Sequence, residues 1–105
     1  MIPFFTFKLD KIYQLRFGMG SSVRFEQLTG RSVFDIEQYD LDTCIQILWV
    51  LLSEQKPELK LEDVPALIDE YASSVTEIVK QVAEMCNAAY PAGDPKNVTK
   101  TKQKN

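Results

Sequence analysis

The 105-residue chain contains no histidine, only two cysteines and only four glycines. Histidine is the commonest general base and the commonest protein ligand of transition metals, so its absence argues against both kinds of site. The two cysteines, Cys44 and Cys86, form no CxxC pair, and neither lies in a motif that would activate a thiol. A phosphate-binding loop is also missing, because Gly18 and Gly20 are not followed by a lysine-serine pair.

Carboxylates are the remaining candidates for acid–base chemistry, and they occur in three close pairs. Each pair lies at a predicted helix start or on a solvated face, where capping and solubility explain it better than catalysis does. The pairs are Asp40 with Asp42, Glu62 with Asp63, and Asp69 with Glu70. We therefore expect a protein that is not an enzyme and has no catalytic, cofactor-binding or metal-binding residues.

Long hydrophobic runs are absent as well. The longest one, Ile47–Leu52, is far shorter than the roughly 20 residues that a membrane-spanning helix needs. The first ten residues carry no basic segment ahead of their apolar side chains, so they do not resemble a signal peptide. The sequence thus predicts a cytoplasmic protein without a membrane partner, whose two cysteines stay reduced and lie on buried helix faces.

Charge is unevenly distributed along the chain, whose total is −3. Residues 91–105 carry four lysines against one aspartate, a net charge of +3, which leaves −6 for residues 1–90. An acidic body makes nucleic acid an unlikely partner, since a protein that binds duplex DNA presents a basic face on its folded domain. Residues 91–105 also have Val98 as their only sizeable apolar side chain. We predict a folded domain over residues 1–90 and a disordered basic tail over 91–105.

The segment Leu41–Leu52 is the predicted centre of the fold. At about 100° per residue, its apolar side chains cover an arc of roughly 200°, twice the stripe of an ordinary surface helix, so it must be covered on more than one flank. Its polar side is marked by Asp42, Thr43, Gln46 and Ser53. Trp49 and Val50 lie at the rim of the arc, where they either complete the core or face a partner protein. The candidate partner-binding residues are Trp49, Val50, Lys96, Lys100, Lys102 and Lys104.

Residues 4–17 alternate between apolar and polar side chains, which predicts a β-hairpin. A three-residue loop at Asp10–Ile12 puts all the apolar residues on one face, whereas a two-residue loop would mix the faces. The expected pairs are Leu9 with Tyr13, Phe7 with Leu15, and Phe5 with Phe17. Because the open strand edges and the apolar face exceed what four short helices can obviously cover, self-association through the hairpin is a further expectation.

Short helices are predicted on both sides of the central one. Ser21 or Ser22 is expected to cap the first, which stops at Gly30, and Asp40 or Asp42 is expected to cap the central helix. The apolar residues of the first helix are Val23, Phe25 and Leu28, and a loose turn is expected around Val33, Phe34 and Ile36.

Two more helices follow Pro57, which bounds the central helix. The third starts at Glu62 or is capped by Asp63, and Ser74 with Glu77 forms a capping box for the fourth. The third has Val64, Leu67, Ile68 and Tyr71 on one face, and the fourth has Val75, Ile78, Val79, Val82, Ala83, Cys86, Ala89 and Tyr90. The predicted fold class is a mainly α domain of about four helices with an N-terminal β-hairpin (α+β).

Four motifs occur in the order found in one family. They are Phe7-x-Leu9, then Tyr13-x-Leu15-Arg16-Phe17-Gly18, then Glu26-x-Leu28-Thr29-Gly30-Arg31-Ser32, and, after an apolar helix, Pro57-Glu58-Leu59-Lys60-Leu61-Glu62-Asp63-Val64. From about Phe5 to Tyr90 the chain resembles the tail assembly chaperones of long-tailed (siphovirus-type) bacteriophages and prophages. Lys60 departs from the family's pattern, which often has Ser or Thr there to cap the third helix.

The resemblance implies a non-enzymatic protein of the host cytoplasm that is absent from the mature virion. It would bind the tape measure protein, keep it soluble and recruit tail tube protein. It also implies that a frameshift adds a second domain to some copies in many members, of which this chain would be the short form. Two other functions stay open: a helical adaptor or regulator that binds a different protein, and a nucleic-acid protein that acts through its basic tail.

Overall fold

The computed structural model describes residues 2–90 and has a mainly helical domain that begins with a β-hairpin, as the sequence predicts. The strands are β1 (Phe5–Lys8) and β2 (Ile12–Leu15), and the helices are α1 (Met19–Thr29), α2 (Leu41–Gln55), α3 (Val64–Tyr71) and α4 (Val75–Ala89). One-turn 3-10 helices at Val33–Asp35 and Leu61–Asp63 precede α2 and α3. No helix between residues 2 and 90 is long and apolar enough to cross a membrane. The expected tail, 91–105, lies outside the described residues.

The hairpin has the expected alternation of faces but a different register. The observed antiparallel pairs are Phe5 with Leu15, Thr6 with Gln14, Phe7 with Tyr13, and Lys8 with Ile12. The connection therefore has three residues, as expected, but it is Leu9–Lys11 and not Asp10–Ile12. The expected pairing is wrong by two residues, and because side chains alternate with a period of two, every apolar residue still lies on the expected face.

Asp10 fixes this register from the tip of the hairpin. Its Oδ1 accepts a hydrogen bond from the Tyr13 hydroxyl at 2.8 Å, and its Oδ2 accepts one from Lys56 Nζ at 3.0 Å. The N–H of Leu9 donates to the carbonyl oxygen of Lys11 at 2.9 Å and closes the turn. The hydrogen bond from Tyr13, aided by Lys56, holds the pKa of Asp10 below its usual value despite partial desolvation.

The apolar face of the hairpin is buried within a single copy of the chain. Phe7, Tyr13 and Phe17 are fully buried, and their neighbours Leu9 and Leu15 nearly so. β1 packs on α4, and the side-chain amide of Gln81 donates to the carbonyl oxygen of Thr6 at 3.0 Å. The helices therefore cover the face that was expected to need a second copy, and the apolar-face argument for self-association fails.

Helix α2 lies at the centre of the core and is covered on more than one flank, as its wide apolar arc predicts. It contacts α1, α3 and α4. Val50, expected at the rim of the apolar arc, is 0% exposed, so it cannot contact a partner protein in this fold. The side expected to be polar is in part covered too, since Thr43 and Ser53 are buried.

Two arginines satisfy these buried polar groups. Arg24 on α1 donates to the Ser53 hydroxyl at 3.2 Å. Arg31, just after α1, donates to Gln46 Oε1 at 2.6 Å and to the Thr43 hydroxyl at 3.1 Å. A buried hydroxyl is tolerated only when it is hydrogen-bonded, so these contacts allow α1 to cover the polar side of α2.

The helix ends largely follow the sequence signals. Asp40 caps α2 by accepting from Thr43 N–H at 2.9 Å, and Ser74 caps α4 by accepting from Glu77 N–H at 3.2 Å. Gly30 ends α1 in the left-handed conformation, with φ of 75°. The first helix, however, begins after Gly18 without a side-chain cap, and neither Ser21 nor Ser22 serves as one.

Helix α3 begins at Val64, immediately after the 3-10 turn. Asp63 does not cap it, because its Oδ2 reaches back to accept the N–H of Lys60 at 3.0 Å. The expected start at Glu62 instead falls inside the 3-10 turn.

Five residues expected on apolar faces are exposed, and one buried residue of α4 was not expected. The exposed residues, each more than 40% exposed, are Val23, Leu28, Leu41, Tyr71 and Val75. Met85 on α4 is fully buried although it was placed on neither face of that helix. Both differences have the same cause: which neighbours a helix packs against sets the width and direction of its buried stripe, and periodicity does not.

Candidate functional site

An apolar groove with a volume of about 520 Å³ lies between the first half of α2, α3 with its preceding 3-10 turn, and the first half of α4. Its lining residues are Leu41, Asp42, Cys44, Ile45, Leu61, Glu62, Pro65, Ile68, Asp69, Val75, Ile78 and Val79. The volume is in the range of ordinary ligand pockets, and the groove is open to solvent along one side.

The floor of the groove belongs to the core, whereas its rim is exposed. Cys44, Ile68 and Ile78 are buried and are part of the packed interior. Leu41 and Val75, at the first positions of α2 and α4, are 59% and 45% exposed. Large apolar side chains held open to water beside a preformed groove are typical of a binding surface.

The charged residues that line the groove are all acidic. They are Asp42 on α2, Glu62 in the 3-10 turn and Asp69 on α3, and no lysine or arginine is among the lining residues. All three carboxylates are exposed, and none has a hydrogen bond or ion pair to another residue between 2 and 90. The rim is therefore negatively charged over an apolar floor.

The backbone that forms the groove walls is largely satisfied internally. The walls are helical, and the side chains of Asp40 and Ser74 cap the two helices that begin at the groove. Hydrogen bonds from Thr43, chiefly through its side chain, hold the pKa of the Asp40 carboxyl below its usual value. The one sheet in the described region is the hairpin, and neither strand lines the groove. A bound segment therefore finds no strand edge in the groove with which to pair its backbone.

The groove also contains one of the two free thiols. Burial raises the pKa of Cys44 to about 11 and that of Cys86 to about 12. Both cysteines are thus protonated at neutral pH and are poor nucleophiles. Within the part of the chain that the structure describes, no cluster of three or more His, Cys, Asp or Glu side chains could hold a metal ion.

The residues singled out from the sequence do not line the groove. Trp49 is half-buried against the core, and its Nε1–H donates to the carbonyl oxygen of Leu59 at 3.1 Å. This geometry matches the alternative in which Trp49 completes the core. Val50 is fully buried, and the four candidate tail lysines fall in the segment that the structure does not describe.

Sequence reasoning placed Leu41 and Val75 in the apolar stripes of their helices and so missed the groove. One signal could have found it: each of these residues directly follows a capping residue, Asp40 or Ser74, at the very start of a helix. A large apolar side chain at a helix start often lies beyond the reach of the neighbouring helices.

No protein-family model, curated protein or solved structure matches this chain. What the groove offers is apolar contact surface with acidic edges, and that combination suits binding of a protein segment. The Cys44 thiol in the groove is protonated at neutral pH, and the three carboxylates around it are exposed.

Proposed function

We propose that this protein is a non-enzymatic tail assembly chaperone of a long-tailed phage or prophage. It binds the tape measure protein in the host cytoplasm, keeps it soluble, recruits tail tube subunits and is absent from the mature virion. The order of the four motifs from Phe5 to Tyr90 supports the family, and the groove supports the binding role.

The observation that carries this proposal is an open apolar groove on a scaffold that is well packed without an occupant. Ile47, Leu48 and Leu52 of α2 are fully buried, so the scaffold does not depend on a client for its core. A chaperone for a long helical protein needs such a surface, because amphipathic helices bind by laying their apolar stripe into a groove. The tape measure protein would present such stripes repeatedly along its length.

The test is co-expression of the tape measure protein with this chain. We expect the tape measure protein to remain soluble and to be retained on the tagged chain, together with tail tube protein when that is added. The double variant Leu41→Ser/Val75→Ser should weaken retention, since it removes the exposed apolar rim without touching the buried floor.

The matched control is Val23→Ser/Leu28→Ser on α1, because those side chains have a similar exposure and lie away from the groove. The control should retain the tape measure protein like the native chain. Insolubility of the tape measure protein in the presence of native chain would exclude the proposed function.

A helical adaptor or regulator is the second candidate, and the same groove favours it. Nothing in the lining is specific to one client, since apolar contacts and three carboxylates suit many amphipathic helices. Groove-dependent binding of a different helical protein, with no retention of the tape measure protein, would identify this function.

A further inference from the structure

We propose that the groove between α2, α3 and α4 selects an amphipathic α-helix whose apolar stripe is flanked by lysine or arginine. This inference rests on the proposed function for its client, and it adds the chemistry by which the client is recognised. The occupant is a segment of another protein, bound as a helix with its cations towards the α2 and α3 walls.

The helical form follows from the walls. All the lining residues lie in helices or in the 3-10 turn, so the groove offers no strand edge with which an extended segment could pair. An α-helix satisfies its own backbone groups and needs only side-chain contacts. Apolar side chains at i, i+3, i+4 and i+7 supply these over two turns.

The cationic flanks follow from the rim. Asp42, Glu62 and Asp69 lie around the apolar floor with no partner between residues 2 and 90 and no nearby lining cation to offset them. Helix dipoles account for Asp42 and Glu62, which lie in first turns, but not for Asp69, which lies in the last turn of α3, where the dipole disfavours an acid. A client with lysines beside its stripe would be attracted, and one with glutamates there would be repelled.

The carboxylates come from only part of the wall. α4 contributes Val75, Ile78 and Val79, all apolar, whereas α2, the 3-10 turn and α3 each contribute one acid. This asymmetry gives the bound helix a preferred rotation about its own axis. It also lets the groove distinguish helices with the same apolar stripe by the charges beside it.

The probe is a labelled synthetic helix of about 18 residues, long enough to be helical, with leucines at i, i+3, i+4 and i+7 and lysines on both sides of that stripe. A second peptide has glutamates in place of the lysines. Fluorescence anisotropy with the full chain should show tighter binding of the lysine peptide, and its advantage should shrink as salt is raised, since exposed charges are screened.

The decisive variant is Asp42→Asn/Glu62→Gln/Asp69→Asn. It should weaken the lysine peptide about tenfold, as expected for the loss of three exposed ion pairs, and should improve binding of the glutamate peptide. The matched control, Glu26→Gln/Glu54→Gln/Glu84→Gln, removes the same charge from exposed positions outside the groove and should change the affinity about twofold or less. All six residues are exposed, and circular dichroism checks that both variants keep the fold.

Equal affinity for the two peptides, equal effects of the two triple variants, or no binding of the lysine peptide would each overturn the inference. The tape measure protein is tested in parallel. If its retention is insensitive to the groove variants, the chaperone function stands and the groove inference fails. If the lysine peptide binds in the groove but the tape measure protein stays insoluble, the inference stands and the proposed function fails.

Discussion

Trp49 packs against the core and is partly exposed at the surface. Its indole N–H donates a hydrogen bond to the carbonyl oxygen of Leu59 and so connects the loop after α2 to that helix. We expect Trp49→Ala to lower the free energy of unfolding by about 2–3 kcal/mol, less than for a fully buried tryptophan, because the Trp49 side chain is only partly buried. Trp49→Phe keeps most of the packing and loses only the hydrogen bond, for about 1 kcal/mol. Urea unfolding measures both.

A different result would show that Trp49 contacts the client. In that case Trp49→Ala would unfold at the same urea concentration as the native chain, but retention of the tape measure protein would fall. The client surface would then extend along α2 beyond the groove, since Trp49 follows the lining residue Ile45 by one helical turn.

Asp10 predicts how stability depends on pH. Its pKa is lowered in the folded state, mainly by the Tyr13 hydrogen bond. The contribution of this carboxylate to the free energy of unfolding is therefore complete above its pKa in the unfolded chain, about 3.9. It is lost as the pH falls through the lower pKa of the folded state. Asp10→Asn should be less stable than the native chain at pH 6, and this difference should shrink towards pH 2.

Tyr13→Phe is the matched variant, because it removes the largest cause of the shift and keeps the buried ring. It should likewise reduce the acid-dependent loss of stability, as measured by urea unfolding at a series of pH values. A constant difference between native and Asp10→Asn chains across that range would show that this carboxylate has the same pKa in both states.

At this scale, sequence reasoning identified core residues better than it identified surface ones. The apolar arc of α2 correctly placed Ile47, Leu48 and Leu52 inside. It could not predict the burial of Val50, because the polar flank of α2 is covered with the help of Arg24 on α1 and Arg31 just after α1. Such a contact between elements leaves no trace in the periodicity of either one.

Among the elements, α1 offers a direct comparison of two glycines. Gly30 has φ of 75°, and an added Cβ would meet nothing within 4 Å, so Gly30→Ala should cost about 1 kcal/mol from backbone strain alone. Gly20 is the second residue of α1 with equally open space and no positive φ. Gly20→Ala should therefore raise stability by about 0.5 kcal/mol.

Thermal unfolding of the two alanine variants tests this opposition in sign. A destabilised Gly20→Ala would indicate a contact of α1 that the open space around Gly20 does not suggest. An unchanged Gly30→Ala would mean that the end of α1 can adopt another conformation at no cost.

The hairpin illustrates what alternation does and does not determine. Alternating side chains predicted the faces of β1 and β2, because a slip of one residue would expose Phe7 and Tyr13. A slip of two residues keeps the faces, so alternation could not choose between the expected and observed registers. Asp10 decides, by bonding both to Tyr13 within the hairpin and to Lys56 at the end of α2.

For the molecule as a whole, the sequence predicted the parts but not the groove between them. The groove exists because α2 and α4 begin at the same end of the domain, where the short α3 does not cover Leu41 and Val75. The caps of α2 and α4 were predicted from the sequence, whereas the starts of α1 and α3 were not. The relative placement of three helix starts depends on packing between elements distant in sequence.

Tyr90, the last described residue, connects the end of α4 to the beginning of the helical region. Its ring packs edge-to-face on Phe34, with centroids 5.0 Å apart. Its hydroxyl lies 2.8 Å from that of Ser22. The Ser22 hydroxyl also lies 2.8 Å from the carbonyl oxygen of Gly18, to which it donates. Tyr90 thus connects the end of α4 to α1 and to the 3-10 turn that contains Phe34.

The contacts of Tyr90 predict different results for two changes near the end of the domain. Removing residues 92–105 should leave the free energy of unfolding within about 0.5 kcal/mol of the native value, since Tyr90 keeps its contacts. Adding Tyr90→Ala to the shortened chain should cost about 2–3 kcal/mol, through lost packing on Phe34 and loss of the hydrogen bond to Ser22. Tyr90→Phe separates the two contributions, because it removes only the hydrogen bond. Urea unfolding of the three chains measures these steps.

A large loss of stability from removing residues 92–105 alone would show that this segment contributes to the folded domain, contrary to the boundary predicted at residue 90.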